Sequence, residues 1–275
     1  MICLSGNGWG AIPALVSLQQ VFSEVEIYSS DSDVLSLKRE SDILIDCLME
    51  AKSTYIICAG HKDIIDDESL SRKNYINVHY SLLPKYRGMH SVVWGVLNGE
   101  KEFGLTIHLM DKFIDNGPII TQFSFDRKDM NSVQIMEQCN EIVRDNLGYV
   151  VNNYIQGKIS PIEQNVNDAT WVPKRSYSDC IIDFEKNCQQ LNLFFDALVS
   201  PYPLPMIKIG NSLFEVIDYD IKQRDYFCTE GRVVNIDEEG AWIKIKDGLL
   251  IVKKLRLEES YIDPRDILKM GQRLK

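Results

Sequence analysis

Thr54-Tyr55-Ile56-Ile57-Cys58-Ala59 is the stretch that most restricts the fold, because it carries no charge on either alternating face. A strand with one face in water alternates apolar and polar residues, whereas a strand covered on both faces, as in a helix-flanked parallel sheet, does not. Met1–Ser5 and Val25–Tyr28 read as earlier strands, and Asn77–His79, Phe103–Met110 and Ile119–Phe125 as later ones. Helical spacing falls between or after them, at Ala11–Val16, Ser41–Met49, Ser91–Leu97 and Ser132 to about Ile155. Such alternation predicts an α/β domain with a Rossmann-like, mostly parallel sheet. Residues 156–180 are polar and aperiodic and read as a connector. A helix over Cys188–Val199 follows, then short strands at Met206–Ile209, Leu213–Tyr219, Gly231–Ile236, Ala241–Lys246 and Gly248–Leu257. Turn pairs such as Asn211-Ser212 and Asp247-Gly248 separate the later strands, so a small β-rich domain closes the chain. The expected division is 1–176 and 177–275.

Within 275 residues the net charge is −10, which argues against a broad nucleic-acid footprint, since phosphate binding needs clustered Lys and Arg. The seven cysteines are scattered and form no C-x-x-C, so neither a disulfide framework nor a zinc knuckle is expected. The start has no basic-then-apolar leader pattern, and no run is long enough to span a bilayer. A cytoplasmic protein with reduced thiols and no metal or membrane partner is the expectation.

Chemistry-bearing residues gather in the fourth predicted strand and the loop after it, Asn77-Val78-His79-Tyr80-Ser81-Leu82-Leu83-Pro84-Lys85-Tyr86-Arg87-Gly88. Asn77 and His79 are two apart and project from one strand face. Pro84 has no N–H and ends ladder pairing, which leaves both at the carboxyl end of a strand, the edge where open α/β sheets bind ligands. Of four histidines, His79 is singled out by this placement, with His61 a weaker candidate and His90 and His108 assigned to structure. The loop Gly6-Asn7-Gly8-Trp9-Gly10 follows the first strand, but G-x-G-x-G is not the dinucleotide spacing. It reads as a tight turn; the alternative is that its N–H groups and Trp9 hold a substrate phosphate or base.

The run Asn-x-His-x-Ser-Leu-Leu-Pro-x-Tyr-Arg-Gly, with Gly104-x-Thr106 and Asp115-x-Gly117 after it, resembles the formyltransferases that use N10-formyltetrahydrofolate. Ile182-Asp183-Phe184, Ala197-Leu198-Val199-x-Pro201-Tyr202-Pro203 and Asp247–Ile251 resemble the C-terminal, OB-like part of methionyl-tRNA members. The resemblance implies Asn77, His79 and Asp115 as the catalytic trio. It implies a pterin held by the loop Lys62, Asp63, Ile64 and Ile65 and by the turn carrying Asp111 and Ile114. Trp9, Tyr86 and Arg87 are the expected substrate contacts. N10-formyltetrahydrofolate is the expected co-substrate, without metal. The acidic chain and the Tyr86-Arg87-Gly88-Met89 segment favour sugar-nucleotide members: a dTDP-linked 3- or 4-amino-dideoxyhexose for O-antigen synthesis, handled by a homodimer. The alternatives are a methionyl-tRNA formyltransferase and a formyltetrahydrofolate hydrolase.

Overall fold

The computed structural model describes residues 1–61 and 63–274. The chain divides into two compact units. One comprises Met1–Gly95, Glu100–Asp129 and Gln134–Lys174; the other comprises Val96–Gly99, Met130–Val133 and the chain from Arg175 onward.

The first unit is built on β1 (Ile2–Ser5), α1 (Ala11–Val21), β2 (Val25–Tyr28), α2 (Ser32–Ser36), β3 (Ile43–Leu44), β4 (Tyr55–Cys58), α3 (Asp67–Arg72) and β5 (Asn74–His79). It continues through β6 (Arg87–Gly88), α4 (Ser91–Leu97, its last two residues counted with the other unit), β7 (Glu102–Leu109), β8 (Ile119–Asp126), α5 (Ser132–Ile155, its first two residues likewise) and β9 (Trp171–Val172). Seven strands form one sheet in the order β3-β2-β1-β4-β5-β7-β8. The pairs from β3 to β5 are parallel, and β7 and β8 add on antiparallel. Alternate residues divide between two apolar layers. Leu4, Ile27, Ile57, Ile76, Leu105 and Ile107 pack with Ala14, Leu15 and Leu18 of α1 and with Cys139, Val143, Leu147 and Val151 of α5. Cys3, Ile56, Cys58 and Tyr75 form the opposite layer, against Leu48, Ile65 and Leu70. The uncharged run at β4 therefore is covered on both faces. α5 spans the predicted helix, its apolar positions recurring on the sheet side.

The expected helix at Ser41–Met49 is corrected to β3, parallel to β2, followed by a 3₁₀ turn at Leu48–Glu50. Asp42 explains the change: its buried carboxylate accepts from the Val25 N–H, the Arg39 N–H and side chain, and Gln19. These bonds hold the chain extended beside β2 at a point where local spacing alone favours a helix.

Gly104 of β7 lies opposite Ser124 of β8, and a Cβ placed on it would come within 1.9 Å of the Phe123 carbonyl oxygen. Gly104→Ala must therefore push two backbones apart and is expected to destabilise the protein by about 3 kcal/mol. A melting temperature within about 1 °C of wild type, where that cost corresponds to several degrees, contradicts this account.

The second unit contains α6 (Cys188–Ala197), β10 (Met206–Ile209), β11 (Ser212–Gln223), β12 (Val233–Asp237), β13 (Gly240–Ile245), β14 (Gly248–Leu257), β15 (Ser260–Ile262) and α7 (Pro264–Ile267). Its antiparallel sheet runs β10-β11-β14-β13-β12, with β15 on β14. Val216, Ile243, Ile245, Leu250, Ile251 and Val252 are buried. Several of its cations meet carboxylates directly: Lys222 with Glu239, Lys253 with Asp220, Arg256 with Glu215, and Arg265 with Asp263. Among the described residues, no helix is long and apolar enough to cross a membrane.

Candidate active site

Parallel pairing sets Cys58, the last residue of β4, opposite Asn77, so β5 extends past its neighbour and presents Asn77 and His79 at the sheet edge. On the other side, β7 runs back antiparallel and places His108 opposite Asn77 and Thr106 opposite His79. These four side chains share one face. The Thr106 hydroxyl donates to the Ser81 carbonyl at 2.7 Å and accepts from the Leu83 N–H at 3.1 Å, which fixes the start of the loop after β5.

Asp115 reaches this edge from the turn after β7, with φ of 49°, a left-handed backbone that Asp tolerates better than most side chains. One carboxylate oxygen accepts from Asn77 Nδ2 at 3.2 Å, and the other accepts from the Gly88 N–H at 2.8 Å. His79 Nδ1 lies 3.5 Å from Asp115 Oδ2, while Nε2 donates to the Tyr86 carbonyl at 2.9 Å. A neutral ring has one N–H and satisfies one of these acceptors; the imidazolium satisfies both. Burial pushes the His79 pKa below its ordinary value, partly offset by the Asp115 charge and the Tyr86 carbonyl, with His108 adding to the depression. The resting ring is therefore neutral near pH 7, with two acceptors in place for the proton it can gain. Burial opposes the charge on Asp115. The imidazoles of His108 and His79 and the Gly88 N–H outweigh it and hold the carboxyl down at about 2.

His108, expected to be structural only, is a fourth member of this cluster. It is 1% exposed, and its Nδ1–H donates to the Leu109 carbonyl at 2.7 Å. Its Nε2 faces Asn77, whose Nδ2 lies 3.2 Å away; Asp115 Oδ1 is 3.6 Å from the same nitrogen. The Asp115 carboxylate only accepts and so demands the NH₂ end of the Asn77 amide, which fixes its orientation. The clue in the sequence was the two-residue spacing from Thr106, but without the register of β7 on β5 it pointed to no particular partner.

A cleft of about 200 Å³ opens beside Asn77 and Asp115. Asp63, Ile64, Ile65, Asp111 and Ile114, five of the six residues expected to contact a pterin, line it, along with His61, His108 and Lys112. The sixth, Lys62, lies outside the described residues. Ile64, Phe113 and Ile114 are exposed at 94%, 60% and 69%, an apolar rim suited to a flat ring. Both Asp111 oxygens are engaged within the turn, by the Phe113 N–H and the Asn116 amide. His61 Nδ1 is 2.8 Å from the Ser5 hydroxyl, and burial lowers its pKa.

The three expected substrate contacts do not line this cleft. Arg87 is 3% exposed, and its guanidinium donates to Gln164 Oε1 and to Asn116 Oδ1. Arg87, expected to meet a diphosphate or sugar, forms a buried tie between loops. The Tyr86 hydroxyl donates to Glu100 at 2.7 Å, and its side chain lines a different, smaller cavity. Trp9 is half-exposed over a groove between α1 and α5 that includes Ile12, Pro13 and Asn140. In the loop before α1, the N–H groups of Gly6 and Asn7 meet the carbonyls of Tyr28 and Gly60, and the Gly8 N–H meets the Asp31 carboxylate. That arrangement is the tight turn, with these donors already engaged.

Comparison with known proteins places these features. The formyl transferase family model matches residues 19–143, and the formyl transferase C-terminal domain matches residues 174–270. The methionyl-tRNA formyltransferase of Clostridium novyi (strain NT) is 25% identical over 259 residues, covering 91% of this chain and 81% of its own. Among solved structures, HypX from Aquifex aeolicus superimposes with a TM-score of 0.67 at 17% identity over 97% of this chain, which spans only 48% of the HypX chain. The N-formyltransferase from Helicobacter canadensis, solved with folinic acid and dTDP-3-aminofucose, gives a TM-score of 0.65 at 20% identity, covering 91% of this chain and 97% of that one. At such identities the structural matches establish the shared fold. With the N-terminal and C-terminal domain models both matched, in that order, the chain belongs to the formyl transferase family and is an N-formyltransferase.

Proposed function

We propose that this enzyme transfers a formyl group from N10-formyltetrahydrofolate to the amine of a nucleotide-linked aminodeoxysugar, a dTDP-linked 3- or 4-amino-dideoxyhexose of the kind built into O-antigen. The observation that carries the reaction is the joining of Asn77, His79 and Asp115 beside an apolar-rimmed cleft. The folate supplies the formyl carbon. A C–N bond forms between that carbon and the acceptor nitrogen, the bond to N10 breaks, and one proton passes from the acceptor amine to N10. In this reading one Asn77 N–H stays on Asp115 and the other is donated to the oxygen that becomes negative as the carbon turns tetrahedral. Neutral His79 takes the amine proton, and the imidazolium is stabilised by Asp115 and the Tyr86 carbonyl until it releases the proton toward N10. Asp115, ionised throughout the working range, keeps both partners oriented.

Support for a sugar acceptor comes from charge. A tRNA-binding surface needs unneutralised cations in clusters, and the C-terminal sheet instead pairs Lys222, Lys253 and Arg256 with carboxylates within a net charge of −10. The H. canadensis N-formyltransferase, 97% of which is covered, was solved in complex with dTDP-3-aminofucose. The second reading, methionyl-tRNA as acceptor, is favoured by the names of the sequence relatives. Mass spectrometry of mixtures containing N10-formyltetrahydrofolate and either a panel of dTDP- and UDP-aminosugars or methionyl-tRNA separates the two. One formyl group gained by a nucleotide sugar is the expected result; formylation of the tRNA alone overturns it.

A further inference from the structure

We infer that Gln164 is a positioning residue for the reaction proposed above, holding the Asp115 peptide in the conformation that aims its carboxylate at Asn77, Gly88 and His79. Gln164 lies beyond α5, about fifty residues from Asp115, and is 9% exposed. Its Nε2 donates to the Asp115 carbonyl at 2.9 Å and to the Gly117 carbonyl at 2.8 Å. Its Oε1 accepts from Arg87 Nε at 3.2 Å and from Arg87 Nη2 at 2.6 Å. A guanidinium only donates and a carbonyl only accepts, so the amide fits in one orientation and all of its hydrogen-bonding capacity is used.

The two ends of the amide grip different loops. Arg87 sits between Tyr86, whose carbonyl accepts from His79, and Gly88, whose N–H donates to Asp115. The same loop is held at its outer side by residues that follow Gln164, through Tyr86 N–H to the Thr170 hydroxyl and Arg87 N–H to the Thr170 carbonyl. Asp115 and Gly117 belong to the opposite turn, and Asp115 there has a positive φ that an unsupported chain populates rarely. One side chain thus spans the two loops whose separation sets the geometry around His79. Removing the Nε2 donors frees the Asp115 peptide to relax toward an ordinary φ, which swings the carboxylate from its partners. A displacement of about 1 Å at such a distance from the chemistry costs on the order of a hundredfold in rate.

Gln164→Glu tests this. It keeps an acceptor for Arg87 but points an oxygen without a proton at the Asp115 and Gly117 carbonyls. Turnover is expected to fall about 30–100-fold, with KM for N10-formyltetrahydrofolate within about threefold of wild type. The second readout needs no substrate: the imidazole of His79 is titrated by NMR in the folded protein. The charges facing that ring are Asp115 and, when protonated, His108. Withdrawal of Asp115 lowers the His79 midpoint, whereas a general loss of stability lowers the melting temperature and leaves the midpoint in place. A wild-type midpoint with wild-type turnover overturns the inference. Should the Glu variant melt below the assay temperature, Gln164→Met, which removes donor and acceptor without adding charge, is read in the same way. A wild-type enzyme that formylates no amine overturns the proposed function instead, and the titration still judges Gln164.

Discussion

His79→Asn is expected to lower turnover by about 10²–10⁴-fold while leaving the equilibrium affinity for N10-formyltetrahydrofolate within a few-fold of wild type. The split follows from position: His79 is buried against Tyr86 and Asp115 and does not line the cleft that contains Asn77 and the expected pterin contacts. pH gives an independent check. Burial depresses the His79 pKa below 6.5, so the ring is neutral and able to accept a proton at neutral pH. As pH falls through that depressed pKa the base is lost, and kcat at saturating acceptor should decline tenfold per unit along an acid limb lying below pH 6.5. Asp115, held at about 2, does not contribute to this limb. The Asn variant should lack the limb as well as the rate. Loss of folate binding together with activity would identify a structural histidine instead.

Replacing Asn77 is expected to cost about 10²–10³-fold in turnover as Ala, and more as Asp. The alanine variant removes the N–H aimed at the developing oxyanion and leaves Asp115 Oδ1 without its Asn77 donor. The aspartate variant keeps the shape but sets a second carboxylate where the amide now stands 3.2 Å from Asp115. Two carboxylates so close do not both ionise, and one pKa rises. When ionised, the new group repels the oxyanion it should stabilise; when protonated, it can donate again. Asn77→Asp should therefore regain part of its activity as pH falls toward the raised pKa, provided His79 is still neutral, whereas Asn77→Ala should show no such recovery. Steady-state rates between pH 5 and 8 distinguish the two variants.

How far the sequence disclosed this site depends on the range of the contacts involved. Asn77 and His79 were legible because strand periodicity alone puts them on one face, and Pro84 marks where the strand must stop. The cover of β4 by apolar layers and the extent of α5 follow equally from local pattern. His108 was not legible: its role arises from the antiparallel register of β7 on β5, and a strand's residues do not name its neighbour. Arg87 looked like a ligand contact because a cation after a strand end often is one, yet its partner Gln164 lies 77 positions away. Asp42 overrode helical spacing in the same way, through a bond to Val25 seventeen positions earlier. What local pattern does not show therefore lies at polar side chains whose partners are distant in sequence, while apolar periodicity located the main elements of the sheet and its long helix.

In the proposed reaction Asn77, His79 and Asp115 deliver a formyl group to an amine. It is tested most directly by a formyl balance with labelled N10-formyltetrahydrofolate and a dTDP-aminosugar, counting label on the acceptor, label released as formate, and tetrahydrofolate formed. One label on the acceptor for each tetrahydrofolate, little formate, and loss of both products in His79→Asn are expected. Formate equal to tetrahydrofolate, with no acceptor labelled among aminosugars or methionyl-tRNA, would contradict it and identify a hydrolase.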